Sequence, residues 1–266
     1  MLEQVTATRF VKRMTTGRTT PLLLECEGDD ELPIEVVTKC SAGTMEGVKN
    51  LAIEAIAGML AADLRLPIPA PFIVELTQEF IDLVATQDPD RATLMRNSNR
   101  LAFGSKRLPN GFVAWVKGQT VPAELCAEAA EIFTFDAIIV NADRRPDNPN
   151  CLFSGDGLAI FDHELTLNSD QVLFWKAPWQ DGGFDNYSSP DRHIFAKPNL
   201  ASCPQTLDRF TQAWEDLPET RFEDYFKALP PDWLSGPDLA GRVIPYFIEV
   251  RKNIRAVVEH ALGVLR

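Results

Sequence analysis

The chain is expected to be an α+β protein with two lobes. A β-rich lobe with one helix spans residues 1–118, and a mostly helical lobe holding one small β-hairpin spans residues 119–266. Three observations predict this. The first forty residues fall into short extended runs separated by turn residues. One long helical run follows them. From about residue 119 helical spacing dominates, interrupted by a strand–turn–strand signature.

Taken in order, "ATRFVKRM" alternates as an exposed strand does. "TTGRTT" is a turn, "PLLLECEG" a second strand, and "PIEVVTKC" a third after the turn "DDEL". The three make an antiparallel meander. "MEGVKNLAIEAIAGMLAADLRL" places Leu51, Ala55, Ile56, Met59 and Leu60 at helical spacing. "PIPAP" ends that helix, because proline cannot continue one, and "FIVELT" is the next strand. Residues 78–100 are polar and mixed, read as helix and loop. "RLAFGSKRLPNGFVAWVKG" is a strand, a loop at Asn110-Gly111 and another extended segment. "PAELCAEAAEIFTFDAIIVNA" is a long apolar-striped helix. "NCLFS" and "LAIFDHE" flank "GDG", a hairpin whose tight turn rests on Gly155 and Gly157. Residues 168–200 are rich in Pro, Gly and Asp and read as irregular. From Pro204 the pattern is helical, broken at "LPPDW" and "SGPD".

Composition removes several classes of function. A net charge of -12 argues against a general nucleic-acid surface, and an anionic ligand would need local cations or a metal ion. The five cysteines, Cys26, Cys40, Cys126, Cys151 and Cys203, are odd in number and scattered without Cys-x-x-Cys spacing. With three histidines, His163, His193 and His260, they do not describe a zinc site. Reduced thiols and a cytoplasmic location are the simplest expectation. "MLEQVTATRFVKRM" carries no apolar core of signal length, and no apolar run is long enough to span a membrane.

Chemistry concentrates in "NADRRPDNPNCLFSGDGLAIFDHE", residues 141–164. Phosphoryl transfer needs a carboxylate to orient the attacking hydroxyl and accept its proton. It also needs neutralised phosphates, usually by Mg²⁺ and a lysine, and hard Mg²⁺ takes oxygen donors such as Asp and Asn. Here Asp143 sits in a loop, Asn148 follows five residues later, and Asp162 follows the second hairpin strand. That is the order in which a kinase site places these residue types. Upstream, Lys39 ends the third strand and Glu54 lies in the next helix, where it can pair with Lys39. Thr16, Gly17, Arg18, Thr19 and Thr20 form the first turn, whose N–H groups and hydroxyls suit a phosphate.

Together "VVTKC", "AIEAIAGMLAADLRLPIPAP", "LAFGSK", "VNADRRPDNPNCL" and "AIFDHE" resemble the HipA-like kinases, a group related to HipA toxins and phosphatidylinositol kinases. The likeness covers roughly residues 15–165, with "LPPDW" a weak echo further on. It implies a two-lobed protein-kinase-like fold with ATP and Mg²⁺ as cofactors. Asp143 carries over as catalytic aspartate, Asn148 and Asp162 as metal ligands, Lys39 as phosphate-binding lysine and Glu54 as its partner. Within the first turn, Gly17, Arg18 and Thr19 are the candidate nucleotide contacts. The implied activity moves the ATP γ-phosphate to a hydroxyl, a protein Ser or Thr or a small molecule. An antitoxin-like protein enters as a partner that the residues neither require nor exclude. This chain departs from the pattern where Asp143 is followed by two arginines, and where Asp162 is followed by His163 instead of glycine.

Plainer readings stand beside these. Asp and Asn also populate turns for local hydrogen-bond reasons. Asn150 rivals Asn148 as a ligand, with a hairpin-turn hydrogen bond as its other role. Arg144 and Arg145 either hold a phosphate or pair with acids such as Asp147. His163 is read as a packing and hydrogen-bonding residue. Trp175 and Trp179 line an acceptor surface or pin a loop. For the whole chain, a kinase-shaped binding or regulatory module without turnover, and transfer of AMP onto a protein, remain open alternatives.

Overall fold

The alternating runs at the N-terminus form strands, and the strands close on themselves. A computed structural model describes residues 2–14, 19–29, 32–155, 157–200, 206–236 and 238–266. The chain divides into two compact units. The first comprises Met1–Met59, Pro69–Leu108 and Tyr225–Leu239, and the second Leu60–Ile68, Pro109–Asp224 and Ala240–Arg266.

In the first unit, β1 (Glu3–Arg13), β2 (Leu22–Glu27) and β3 (Pro33–Lys39) form the expected antiparallel meander. β4 (Pro71–Glu75) and β5 (Leu101–Lys106) complete a closed barrel in the order β1-β2-β3-β5-β4. Closure comes from parallel pairing of β1 with β4, Val5 opposite Val74. This was not foreseen, because strand alternation says nothing about which distant strand becomes the neighbour. Period-two alternation turns Leu22, Leu24 and Cys26 of β2 inward, where they pack with Val5, Val36, Val74 and Ala102. Gly104 of β5 is needed there, since a Cβ would lie 2.5 Å from a Val36 methyl and 2.6 Å from a Val74 methyl. Residues 78–100 are mainly two short helices, α2 (Gln78–Gln87) and α3 (Pro89–Arg96); the Thr77 hydroxyl accepts from the Phe80 N–H and Asp88 from the Arg91 N–H. The "LPPDW" break is a 3₁₀ turn, Pro231–Leu234, whose buried Trp233 donates to the Leu101 carbonyl at 3.2 Å.

The long helix α1 (Val48–Asp63) is buried without interruption from Asn50 to Ala61, not along a single stripe. Glu54 is therefore desolvated, and a buried carboxylate needs a partner. The helix stops at Arg65, which takes a left-handed φ of 57°, so termination precedes the first proline of "PIPAP".

In the second unit, β6 (Val113–Ala114), β7 (Cys151–Ser154) and β8 (Gly157–Ile160) form an antiparallel sheet. The hairpin register pairs Ser154 with Gly157, so the expected hairpin forms, with Gly155 in its turn while Gly157 already opens β8. α4 (Cys126–Ile138) is buried at nearly every position and leads into residues 141–164. Beyond the irregular stretch come α5 (Lys197–Leu200), α6 (Asp208–Asp216), α7 (Glu219–Lys227), α8 (Leu239–Lys252) and α9 (Ile254–Leu265). Trp214 packs its ring against Phe210, Phe222 and Phe247, with centroids 6.2–6.5 Å away. Among the described residues no helix is long and apolar enough to cross a membrane.

The cysteine expectation needs correcting. Cys26, Cys40 and Cys151 are free and buried, but Cys126 is disulfide-bonded. Sequence spacing does not report which thiols meet in space. Burial pushes the Cys26, Cys40 and Cys151 thiols up to about 12, so none is a poised nucleophile.

Candidate active site

The site in the second unit begins where α4 ends. The Val140 N–H reaches back to the Ala137 carbonyl at 3.4 Å, and the Asn141 N–H to the Asp136 carbonyl at 2.7 Å. This is the Schellman pattern of helix termination, whose left-handed position normally takes glycine. Here it is Val140, at φ 61°. A β-branched residue in that conformation is strained by about 1–3 kcal/mol and persists only where its surroundings over-determine it. Asn150 (φ 40°) and Asp162 (φ 65°) share the left-handed region, so backbone strain gathers around this loop.

What over-determines the loop is a buried ionic network. Arg144 and Asp136 are both fully buried, and Arg144 donates through Nε to Asp136 Oδ2 at 2.5 Å and through Nη2 to Oδ1 at 3.2 Å. Arg144 Nη1 donates to the Asn150 carbonyl, and Nη2 also donates to His163 Nε2 at 2.9 Å. His193 Nδ1 accepts the Phe195 N–H at 3.0 Å, so its Nε2 carries the proton donated to Asp136 Oδ2 at 2.9 Å. Burial works to raise the Asp136 carboxyl, but Arg144 and His193 outweigh it and hold it well below the usual carboxylate range. Burial holds the His193 imidazole below its ordinary value, with Asp136 opposing and Arg144 reinforcing the effect.

The neighbours of Arg144 face the other way. Asp143 has a half-buried side chain that accepts from Asn148 Nδ2 at 2.7 Å and, at 3.5 Å, from Asn150 Nδ2. Arg145 approaches Asp143 Oδ1 at 3.3 Å, and the Arg145–Asn148 bridge turns the chain tightly between them. The Asn141 side chain accepts the Asp143 N–H at 3.1 Å. At the end of the hairpin, the Phe161 N–H donates to the Asn150 carbonyl at 3.2 Å. Asp162, next in the chain, thus leaves the hairpin beside the end of the Asp143 loop. A carboxylate oxygen of the buried Glu164 lies within 4.8 Å of one from Asp162.

In the first unit, Lys39 Nζ and Glu54 Oε2 form an ion pair at 2.8 Å, with side chains 10% and 5% exposed. Desolvating two charges is costly, and each is the other's compensating partner here. Thr19 is buried, and its carbonyl would meet a Cβ on Gly43 at 2.9 Å. Gly17 and Arg18, expected to contact nucleotide, lie outside the described residues, as does Thr16.

The sequence-based pairs therefore meet within each unit: Lys39 with Glu54, and Asp143 with Asn148. Arg144 and Arg145 pair with Asp136 and Asp143, while Asp147 pairs with Lys117 at 3.1 Å. His163 has the hydrogen-bonding role read for it. Trp175 and Trp179 pack on Tyr246, with centroids 5.9 and 6.0 Å away. Sequence reasoning missed Asp136, Asn141 and His193. Their signal was a lone carboxylate in the apolar run "IFTFDAIIV", which a buried helix tolerates only with partners.

A family model for HipA-like kinases matches residues 7–253. The chain belongs to the HipA-like kinase family. Its enzyme class is that of a kinase. No curated protein matches the chain. Among solved structures it resembles the Helicobacter pylori proinflammatory kinase CtkA in fold, with TM-score 0.56 and 11% identity over 98% of both chains. A Golgi casein kinase structure with Mn/ADP bound aligns at TM-score 0.45 and 11% identity, over all of this chain and 73% of that one.

Proposed function

We propose that this HipA-like kinase uses Mg²⁺-ATP and transfers the γ-phosphate to a hydroxyl group, with protein Ser or Thr as the acceptor class. The observation that supports this best is the Asp143–Asn148 hydrogen bond of 2.7 Å on a half-exposed loop held from beneath by a buried ion pair. In this reading Asp143 orients the acceptor hydroxyl and takes its proton as the oxygen attacks the γ-phosphorus. The bond from that phosphorus to the β–γ bridging oxygen breaks, and ADP leaves.

The donor set fits a hard divalent ion. Asn148 and Asp162 offer oxygens, Glu164 stands close to Asp162, and none of the three is a soft ligand. Asn148 and Asp162 would hold Mg²⁺, which when bound neutralises phosphate charge. In the barrel unit Lys39, kept in place by Glu54, is the residue suited to a phosphate oxygen. In this reading the two units stand for the two lobes of a protein-kinase-like fold.

ATP labelled at either the α- or the γ-phosphate tests the reading, with Asp143→Ala alongside the wild type. Loss of γ-label to phosphate, or to the protein itself, that disappears in Asp143→Ala supports phosphoryl transfer. Retained turnover in that variant overturns the role of Asp143. Transfer of α-label turns the chemistry to AMP, and binding without turnover makes the chain a regulatory module.

A further inference from the structure

We propose that Asp136 is a positioning residue for the transfer step, acting on Asp143 through Asn141 and Arg144. This rests on the reading of Asp143 as the catalytic aspartate. Asp136 touches no substrate, being fully buried on the last turn of α4. Its carboxylate instead collects four donated hydrogen bonds. Oδ1 receives Asn141 Nδ2 at 2.8 Å and Arg144 Nη2 at 3.2 Å; Oδ2 receives Arg144 Nε at 2.5 Å and His193 Nε2 at 2.9 Å. Its main-chain carbonyl also takes the Asn141 N–H at 2.7 Å.

Asp136 thus grips the residues two before and one after Asp143. Asn141, held on its amide nitrogen, presents Oδ1 to the Asp143 N–H at 3.1 Å. Arg144, held on its fork, reaches the Asn150 carbonyl, and its own carbonyl accepts the Ile194 N–H at 3.2 Å. The backbone of Asp143 is therefore set from both sides by one carboxylate. Only an ionised carboxylate, an acceptor without a proton, satisfies this ring of donors; an asparagine would turn its NH₂ against one of them. A fold that only needed a helix end here would be served by an apolar residue, so the buried charge calls for another use.

The test uses Asn141→Ala, which cuts the relay and leaves the Asp136–Arg144–His193 network in place. It is compared with Asp136→Asn, Asp143→Ala and wild type by kcat and KM for Mg²⁺-ATP turnover, melting temperature, and hydrogen exchange of the Asp143 amide. A misplacement near 1 Å lowers kcat by roughly 10²-fold. That loss is expected in Asn141→Ala with the KM for ATP changed less than about threefold, because binding is untouched while the reacting geometry is not. The Asp143 amide should exchange faster, while melting falls by only a few degrees, the cost of losing two hydrogen bonds of the buried Asn141 side chain. Asp136→Asn, measured below its lowered melting temperature, should show the same split.

Folded Asn141→Ala with wild-type kcat overturns the proposal, as does an Asp136→Asn variant whose only defect is melting. Asp143→Ala separates the two levels. If it is inactive while Asn141→Ala is fully active, positioning alone is wrong. If it turns over normally, or if wild type hydrolyses no ATP, the catalytic reading falls and the positioning role with it.

Discussion

Within one loop of the helical unit Arg144 turns inward and is fully buried, while its neighbours Asp143 and Arg145 turn outward with side chains 29% and 52% exposed. All three are charged and adjacent, yet their surroundings give them different work. Arg144 has its donors committed to Asp136, the Asn150 carbonyl and His163, and holds the loop in shape. Asp143 sits on the open side, within reach of Asn148. In the proposed reading burial separates the charge that maintains the loop from the charge that does chemistry, and sequence alone does not show which is which. Lys39 sits between these cases, because it is buried and ion-paired as Arg144 is but is read as touching phosphate, with Glu54 as the carboxylate that holds it.

The comparison breaks most sharply at Asp143. Asp143→Ala should lower Mg²⁺-ATP turnover by roughly 10²–10⁴-fold, the usual contribution of a general base, with the melting temperature almost unchanged. Arg144→Met should do the reverse first. It strands Asp136 as a buried unpaired charge and should cost about 3–5 kcal/mol of stability, read by urea unfolding. Glu54→Gln removes the charge that holds Lys39, and ATP affinity by calorimetry should weaken by roughly tenfold, the worth of a charge-assisted hydrogen bond.

The inward side should also respond to acid. His193 titrates below its ordinary value of 6.5, so under that pH the unfolded chain binds the proton first and stability falls. Asp136 titrates below its ordinary value of 3.8, so its stabilising ionisation is lost only as pH drops further through that range. Urea midpoints should therefore decline as pH falls below 6.5, and His193→Gln should flatten the upper part of that decline. The smallest effect belongs to the fully outward pair. Asp147→Asn breaks an ion pair whose side chains are 64% and 85% exposed, and melting should move by less than about 1 °C.

Local chemistry made much of this legible beforehand. The meander, the hairpin turn between Ser154 and Gly157, and the pairings of Lys39 with Glu54 and Asp143 with Asn148 all follow from short-range spacing. Barrel closure did not, because β2, β3 and α1 intervene between β1 and β4 and parallel register leaves no local mark. The disulfide at Cys126 was missed for the same reason. Asp136 was hidden differently. Its partners lie five, eight and fifty-seven residues away, so the carboxylate in an apolar helix was visible and its purpose was not.

The most direct measurement is a calorimetric titration of ATP into wild type and Asp162→Ala, each with and without Mg²⁺. The account predicts that Mg²⁺ tightens ATP binding to the wild type, and that Asp162→Ala folds normally but loses the metal-dependent part. Metal-dependent binding that survives intact in Asp162→Ala would contradict it, and would move the nucleotide away from the loop and hairpin at residues 141–164.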